Sequence, residues 1–219
     1  MVKNMLDINE KKQLILEAAL KVIVHEKGML PTKKVGAQAG ISEATVFHYF
    51  KTKEMLLKAL LHYLMEDFQL HCKKCGLYNT DKGMDCIVLN IPIRQRLRIL
   101  WDVYLDWGIE HALQFKALQF LDKGKDILVA FLEEQLCLFS RSEALFFQEE
   151  PDKENILPSW YFKFVSGLFM AAVNTTLETI LRMPEPYARR YLREMGFLIF
   201  VSGLLPNASV NPKERSLEG

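Results

Sequence analysis

Residues 32–53 read TKKVGAQAGISEATVFHYFKTK, and this stretch decides the fold. It holds two short helical patterns separated by Gly40. Thr32 and Gly40 bound the first, and Ser42 and Phe50 bound the second. Val35, Ala39, Val46 and Phe50 fall on inward positions, which leaves Thr45, His48 and Tyr49 on the outer arc. Two short helices joined by a tight glycine turn, the second presenting polar and aromatic side chains, describe a helix-turn-helix. Thr45 and Tyr49 are i, i+4 neighbours with His48 beside them, an arc suited to bases and phosphates. Lys53 adds a cation at the start of the next helix, where free backbone N–H groups also suit a phosphate.

Outward from this stretch, the N-terminal side is helical. Residues 9–27 place Leu14, Ile15, Ala18, Ala19, Val22 and Ile23 on one stripe, with Asp7 or Asn9 as cap. Gly28 is placed to end that helix in the left-handed conformation, Pro31 blocks its continuation, and Thr32 is expected to cap the next. Gly36 and Ala37 keep this second helix thin, so a neighbour can cross closely. On the C-terminal side, Thr52 caps a long helix from Lys53 to about Cys72, with Leu56, Leu57, Leu60, Leu61, Leu64 and Phe68 on its apolar face. That face exceeds the needs of a three-helix module, which makes the helix a natural lever to a second domain.

Residues 73–91 are poorly periodic and read as a loop or broken helix end. A helix follows Pro92 to about His111, with Gly108 expected to interrupt it, and a short one spans about 112–121. Residues 125–147 are strongly helical, and a polar break covers 148–155. Two closing helices, about 158–182 and 185–205, are apolar around much of their circumference and carry Gly167, Ala171, Ala172, Gly196, Ser202 and Gly203. Such helices are buried on more than one side, as in a four-helix bundle formed with a twofold mate. Asn174 and Glu178 then read as interface hydrogen-bonding groups, or as polar groups of a pocket. No alternating strand pattern or repeat occurs. The expectation is an all-α chain of about nine helices: a DNA-binding domain at 9–69, a ligand-binding and dimerisation domain at 70–205, and a flexible tail at 206–219.

Composition bounds the function. The chain has 219 residues, half of them hydrophobic and a quarter charged, with net charge +1. That is a globular composition without a global basic field. The charge is uneven: residues 1–54 carry nine lysines against six acids, so the remainder sums to −2. The first residues have no apolar leader, and the longest apolar runs are about ten residues against the roughly 20 of a spanning helix. The expected location is the cytoplasm, without membrane association.

Residues 9–69 resemble the DNA-binding domain of the tetracycline-repressor (TetR) family of bacterial regulators. The resemblance rests on a helix, Gly28, and then PTKKVGAQAGISEATVFHYFKTKEMLLKAL from Pro31 to Leu60. Small residue, turn glycine, serine cap, threonine, aromatic pair and Lys-Glu fall in the family's order over about a quarter of the chain. The resemblance implies an all-α homodimer without cofactor, binding a palindromic operator as a repressor. A small apolar or amphipathic effector in the C-terminal domain would release it. It also implies contacts to DNA from Thr45, His48, Tyr49 and Lys53. Thr32 and Lys33, which open the first helix of the pair, and Glu43 and Ala44, which open the second, complete the set. Glu43 can accept from a cytosine amino group, and as a first-turn acid it is also favoured by the helix dipole. Phe47 stands where the family most often has a tyrosine whose hydroxyl bonds phosphate, so one anchor is missing. A second reading is therefore an all-α dimeric ligand-binding or protein-interaction module with a weakened DNA head.

Other candidate chemistry is thinner. His71, Cys72, Cys75 and Cys86 include one C-x-x-C beside a histidine, without a second pair to complete a thiolate site. The expectation is a helix end and no metal. Trp101, Tyr104, His111 and Trp160 are candidates to line an effector pocket, since such pockets are apolar with a few polar groups. Nucleophile elbow, phosphate loop, H-E-x-x-H and dinucleotide fingerprint are all absent, so an enzyme is not expected.

Overall fold

A computed structural model describes residues 2–76, 92–121 and 159–204. These hold α1 (Val2–His25), α2 (Thr32–Ala39), α3 (Glu43–Tyr49), α4 (Lys53–Lys74), α5 (Ile93–Glu110), α6 (Ala112–Leu121), α7 (Ser159–Arg182) and α8 (Pro186–Leu204). Among the described residues every regular element is a helix. The helix expected at 125–147, the polar break and the tail lie outside the described residues. Two compact units emerge: α1 to α4 with α6 and the end of α5 from Trp107, and α5 up to Asp106 with α7 and α8.

The first unit forms because α1 buries one face against α2, α4 and α6. Ile15, Ala18, Ala19, Val22 and Ile23 are buried as expected, joined by Leu20. Leu14 is exposed at 44% and does not belong to the stripe. It stands one position before Ile15 on a 100° step, and that step carries it past the edge of the packed face. The helix also begins at Val2, seven residues before the expected start. At its other end Lys27 and Gly28 both have positive φ, and the Gly28 N–H donates to the Ile23 carbonyl at 2.8 Å. This closes the helix with a left-handed cap.

In the second unit Trp101 fills the centre. Its ring meets Phe169 of α7 and Phe197 of α8 edge-on and stacks on Phe200 of α8. Its indole N–H donates to the Arg193 carbonyl at 3.1 Å. Gly196 lets α8 approach so closely that an added Cβ would lie 2.5 Å from Thr176 Oγ1 and 2.9 Å from the Trp101 ring. Arg98 holds α5 to α8 through a two-pronged bond to Glu194, at 2.5 and 2.6 Å, and also bonds Asp102 at 2.6 Å. The same guanidinium lies over the Phe197 ring.

Gly108 does not interrupt α5, which runs unbroken to Glu110. A helical glycine costs only about 1 kcal/mol relative to alanine, less than the packing of the buried residues around it. The stretch Lys163–Arg182 within α7 is long and apolar enough to cross a membrane by length and composition. It is longer than the ten-residue apolar run read in the sequence. Its inner face is nonetheless occupied: Phe169 meets Trp101, and Asn174 accepts from the Tyr104 hydroxyl at 2.8 Å.

Candidate functional site

The helix-turn-helix is built by three local devices. Gly40, at φ +68°, ends α2 in the left-handed region, and the Ile41 N–H donates back to the Gly36 carbonyl at 2.9 Å. Ser42 caps α3, its Oγ accepting from the Thr45 N–H at 3.1 Å. Thr52 caps α4, accepting from the Met55 N–H at 3.1 Å. Each cap satisfies a donor that the first turn of a helix leaves open. Gly36 sets the crossing of the two helices: a Cβ there would lie 2.9 Å from the Ile41 carbonyl and 3.1 Å from the Glu43 nitrogen. Val35, Val46 and Phe50 are buried beneath, and Ala39 is half-buried.

Thr32 is not the cap of α2. Pro31 holds that position without a side-chain cap bond, and Thr32 is the first helical residue. Its hydroxyl donates instead to Glu43 Oε1 at 2.5 Å, across the turn. The pair ties the starts of α2 and α3 together, and it engages two of the side chains expected at DNA. Lys34 bridges to Glu26 of α1 at 2.7 Å, and this ammonium, with His25, holds the Glu26 carboxyl below its ordinary range.

On α3 the outer arc is present. Phe47 and His48 are exposed, Thr45 and Tyr49 half-exposed. The His48 and Tyr49 rings meet edge-on with centroids 5.2 Å apart, which steadies both. The Thr45 hydroxyl lies 2.8 Å from Ser42 Oγ. Lys51 Nζ donates to the His48 carbonyl at 3.1 Å, placing a cation at the C-terminal end of α3. Lys33, Ala44 and Lys53 are exposed around this arc.

The N-terminus of α4 differs from expectation. The Glu54 carboxyl lies below its ordinary range because it accepts from its own backbone N–H and from the Thr52 hydroxyl. With Met55 N–H taken by Thr52, the first turn is largely satisfied from within. The positive end of a helix draws the nearest anion, and here that anion is Glu54. Lys53 is left to act through its ammonium.

Three of the four residues expected to line a pocket have described side chains. Trp101 and Tyr104 are buried in the second unit with their polar atoms bonded to Arg193 and Asn174. His111 belongs to the first unit, its Nδ1 3.1 Å from Asp67 Oδ2. The Trp160 side chain lies outside the described residues. Glu178 pairs with Arg182 along α7. Of the cysteine group, Cys72 is buried and Cys75 exposed, while Cys86 lies outside the described residues. Sequence reading missed a different grouping: His71, Glu110 and His111 offer ligand atoms within 4.8 Å of one another. His71 on α4 stands 39 and 40 positions before Glu110 and His111, which are neighbours at the end of α5, so no local spacing announces the three together.

A family model described as bacterial regulatory proteins, tetR family, matches residues 15–60. A tetR family transcription regulator from Shewanella sp. PV-4 is similar in structure, at 21% identity over 88% of this chain and 97% of that one, with a TM-score of 0.55. A TetR-like transcriptional regulator from Rhodococcus sp. RHA1 is similar at 15% identity over 89% and 95%, with a TM-score of 0.57. At these identities the structural likeness shows the fold alone. The family model thus covers the helix-turn-helix with its flanking helices, and this stretch is similar to the DNA-binding segment of tetR-family regulators, while the rest of the chain shares the fold of these solved structures.

Proposed function

We propose that the protein is a cytoplasmic homodimeric repressor. It reads a palindromic operator with the 9–69 domain and answers to a small apolar or amphipathic effector in residues 70–205. The observation that carries this is the arc of Thr45, Phe47, His48 and Tyr49 on a capped α3. It is flanked by Lys33 and Lys53, and the α2–α3 turn holds it in place. Lysines position the duplex through phosphates, while Thr45, His48 and Tyr49 meet base edges and backbone. Thr32 and Glu43 contribute by holding the turn, and Glu43 contacts a base only if its bond to Thr32 opens. Ala44 allows close approach of the helix.

Dimerisation through α7 and α8 is supported by what these helices leave uncovered. Phe164 and Leu168 on α7 and Leu198 and Ile199 on α8 are exposed. An apolar groove of about 570 Å³ runs beside them, lined among others by Ala171, Ala172 and Gly203. Small residues beside large exposed ones suit a second helix pair. For the effector, Trp101 and Tyr104 are the residues we favour, with His111 and Trp160 as further members. Entry beside Trp101 would exchange its stacking on Phe200 for contacts with the effector. The effector then works through its unequal affinity for two arrangements of the dimer.

Phe47, which lacks the hydroxyl of the family's usual tyrosine, keeps a second reading in view: a dimeric interaction module with a weakened DNA head. A double variant, His48→Ala with Tyr49→Ala, separates the two. A DNA reader loses binding to duplex DNA from upstream of its own gene, by about 30-fold or more at about 1–3 kcal/mol per contact, with its helical content intact. Unchanged DNA binding in that variant would contradict the assignment of the arc.

A further inference from the structure

Asp67, His71, Glu110 and His111 meet inside the first unit, where the second half of α4 faces the α5–α6 junction. His71 is buried, and its Nε2 has no hydrogen-bond partner. Its Nδ1 lies 3.6 Å from Glu110 Oε2, too far for a hydrogen bond. An orphaned buried ring nitrogen costs free energy unless something fills its lone pair. Across from it, His111 is oriented. The Asp67 carboxylate, which only accepts, lies 3.1 Å from His111 Nδ1, and the Gln114 amide nitrogen, which only donates, lies 3.3 Å from the same atom, so the neutral ring can carry its proton on either nitrogen. Asp67 is itself held by the Trp107 indole N–H at 2.9 Å.

When the Nδ1 proton of His111 turns to Asp67, Nε2 is free to ligate, and a carboxylate behind the far nitrogen is the arrangement that metal-ligating histidines use. We propose that His71, His111 and Glu110 bind a divalent first-row transition metal of the zinc, cobalt or nickel kind, with Asp67 as the positioning residue for His111. Two imidazoles and one carboxylate suit such borderline ions and not magnesium or calcium, which take oxygen shells. Three protein ligands leave a fourth position for water. The three ligand atoms lie within 4.8 Å of one another, whereas a tetrahedral shell with bonds of about 2.1 Å sets them about 3.4 Å apart. Glu110, exposed at the rim, has the freedom to close that gap, and the ion then joins α4 to the α5–α6 junction. This site involves neither Cys72 nor Cys75, and it does not depend on DNA binding.

Cobalt(II) titrated into the full chain, without DNA, tests it. The expected result is one ion per chain, with visible d–d absorption and displacement by zinc. Glu110→Gln and His111→Ala should each weaken binding at least tenfold, and Asp67→Asn by about 10- to 100-fold. His62→Ala, which removes an exposed histidine paired with Glu66, should change nothing. Glu110 is exposed, so its variant keeps the fold and stays informative if a buried-site variant does not. Absence of cobalt binding by the folded protein would overturn the proposal. So would binding that survives Glu110→Gln and His111→Ala, or binding that is lost in Cys75→Ser instead.

Discussion

Gly36 and Phe47 are the two residues on which the reading head turns most sharply. At Gly36 the obstacle to any side chain is backbone, the Ile41 carbonyl and the Glu43 nitrogen, so neither can swing aside. Gly36→Ala must therefore spread α2 from α3. The expected cost is about 1–3 kcal/mol, read as a lower urea midpoint, with DNA binding weakened beyond what stability accounts for. A variant as stable as the parent would show that the crossing has slack. Phe47 is a different case. It is exposed at 37%, so its ring is available at the surface although its hydroxyl is missing. On the proposed reading, the missing hydroxyl shifts the DNA contacts onto Lys33, Thr45, His48, Tyr49 and Lys53.

Among elements, α5 and α8 are joined by the most directional contact in the second unit. Arg98 donates to both oxygens of Glu194, and this guanidinium holds the Glu194 carboxyl below its ordinary range. Because the folded value is the lower one, the contribution to stability is complete above the ordinary glutamate range. It is lost as pH falls through the folded value. Glu194 is half exposed, so solvent screening limits the contribution to about 0.5–1 kcal/mol. Glu194→Gln should therefore cost that much at neutral pH and flatten the acid limb of the stability profile. An unchanged acid limb would mean other carboxylates govern it.

The elements also show which parts of the structure were legible in the sequence. Gly40, Ser42 and Thr52 act on neighbours three or four residues away, so the boundaries of α2, α3 and α4 could be read directly. The helix through Gly108 could not, because tertiary packing of α5 outweighs one residue's propensity. Thr32 looked like a cap because threonine caps well. Its actual partner, Glu43, is eleven residues on and reaches it only once the turn has formed. Glu54 at the start of α4 was visible as a residue but not as the occupant of the helix's positive end. His71 joins the adjacent Glu110 and His111 only once α4 packs on the end of α5, so no local spacing marks the three together.

For the whole molecule, the proposal joins a DNA head with small charge excess to a dimer that supplies two such heads. An excess of three positive charges over residues 1–54 is modest, so affinity must come from two heads acting together on one duplex. The apolar residues left open on α7 and α8 are what would join them. The most direct measurement is fluorescence anisotropy of the full chain with duplex DNA from upstream of its own gene, across a range of salt. A homodimeric operator reader gives saturable binding of a dimer to one palindromic site, with log K falling linearly as log salt rises. A folded dimer with no salt-dependent binding to any such site would contradict it.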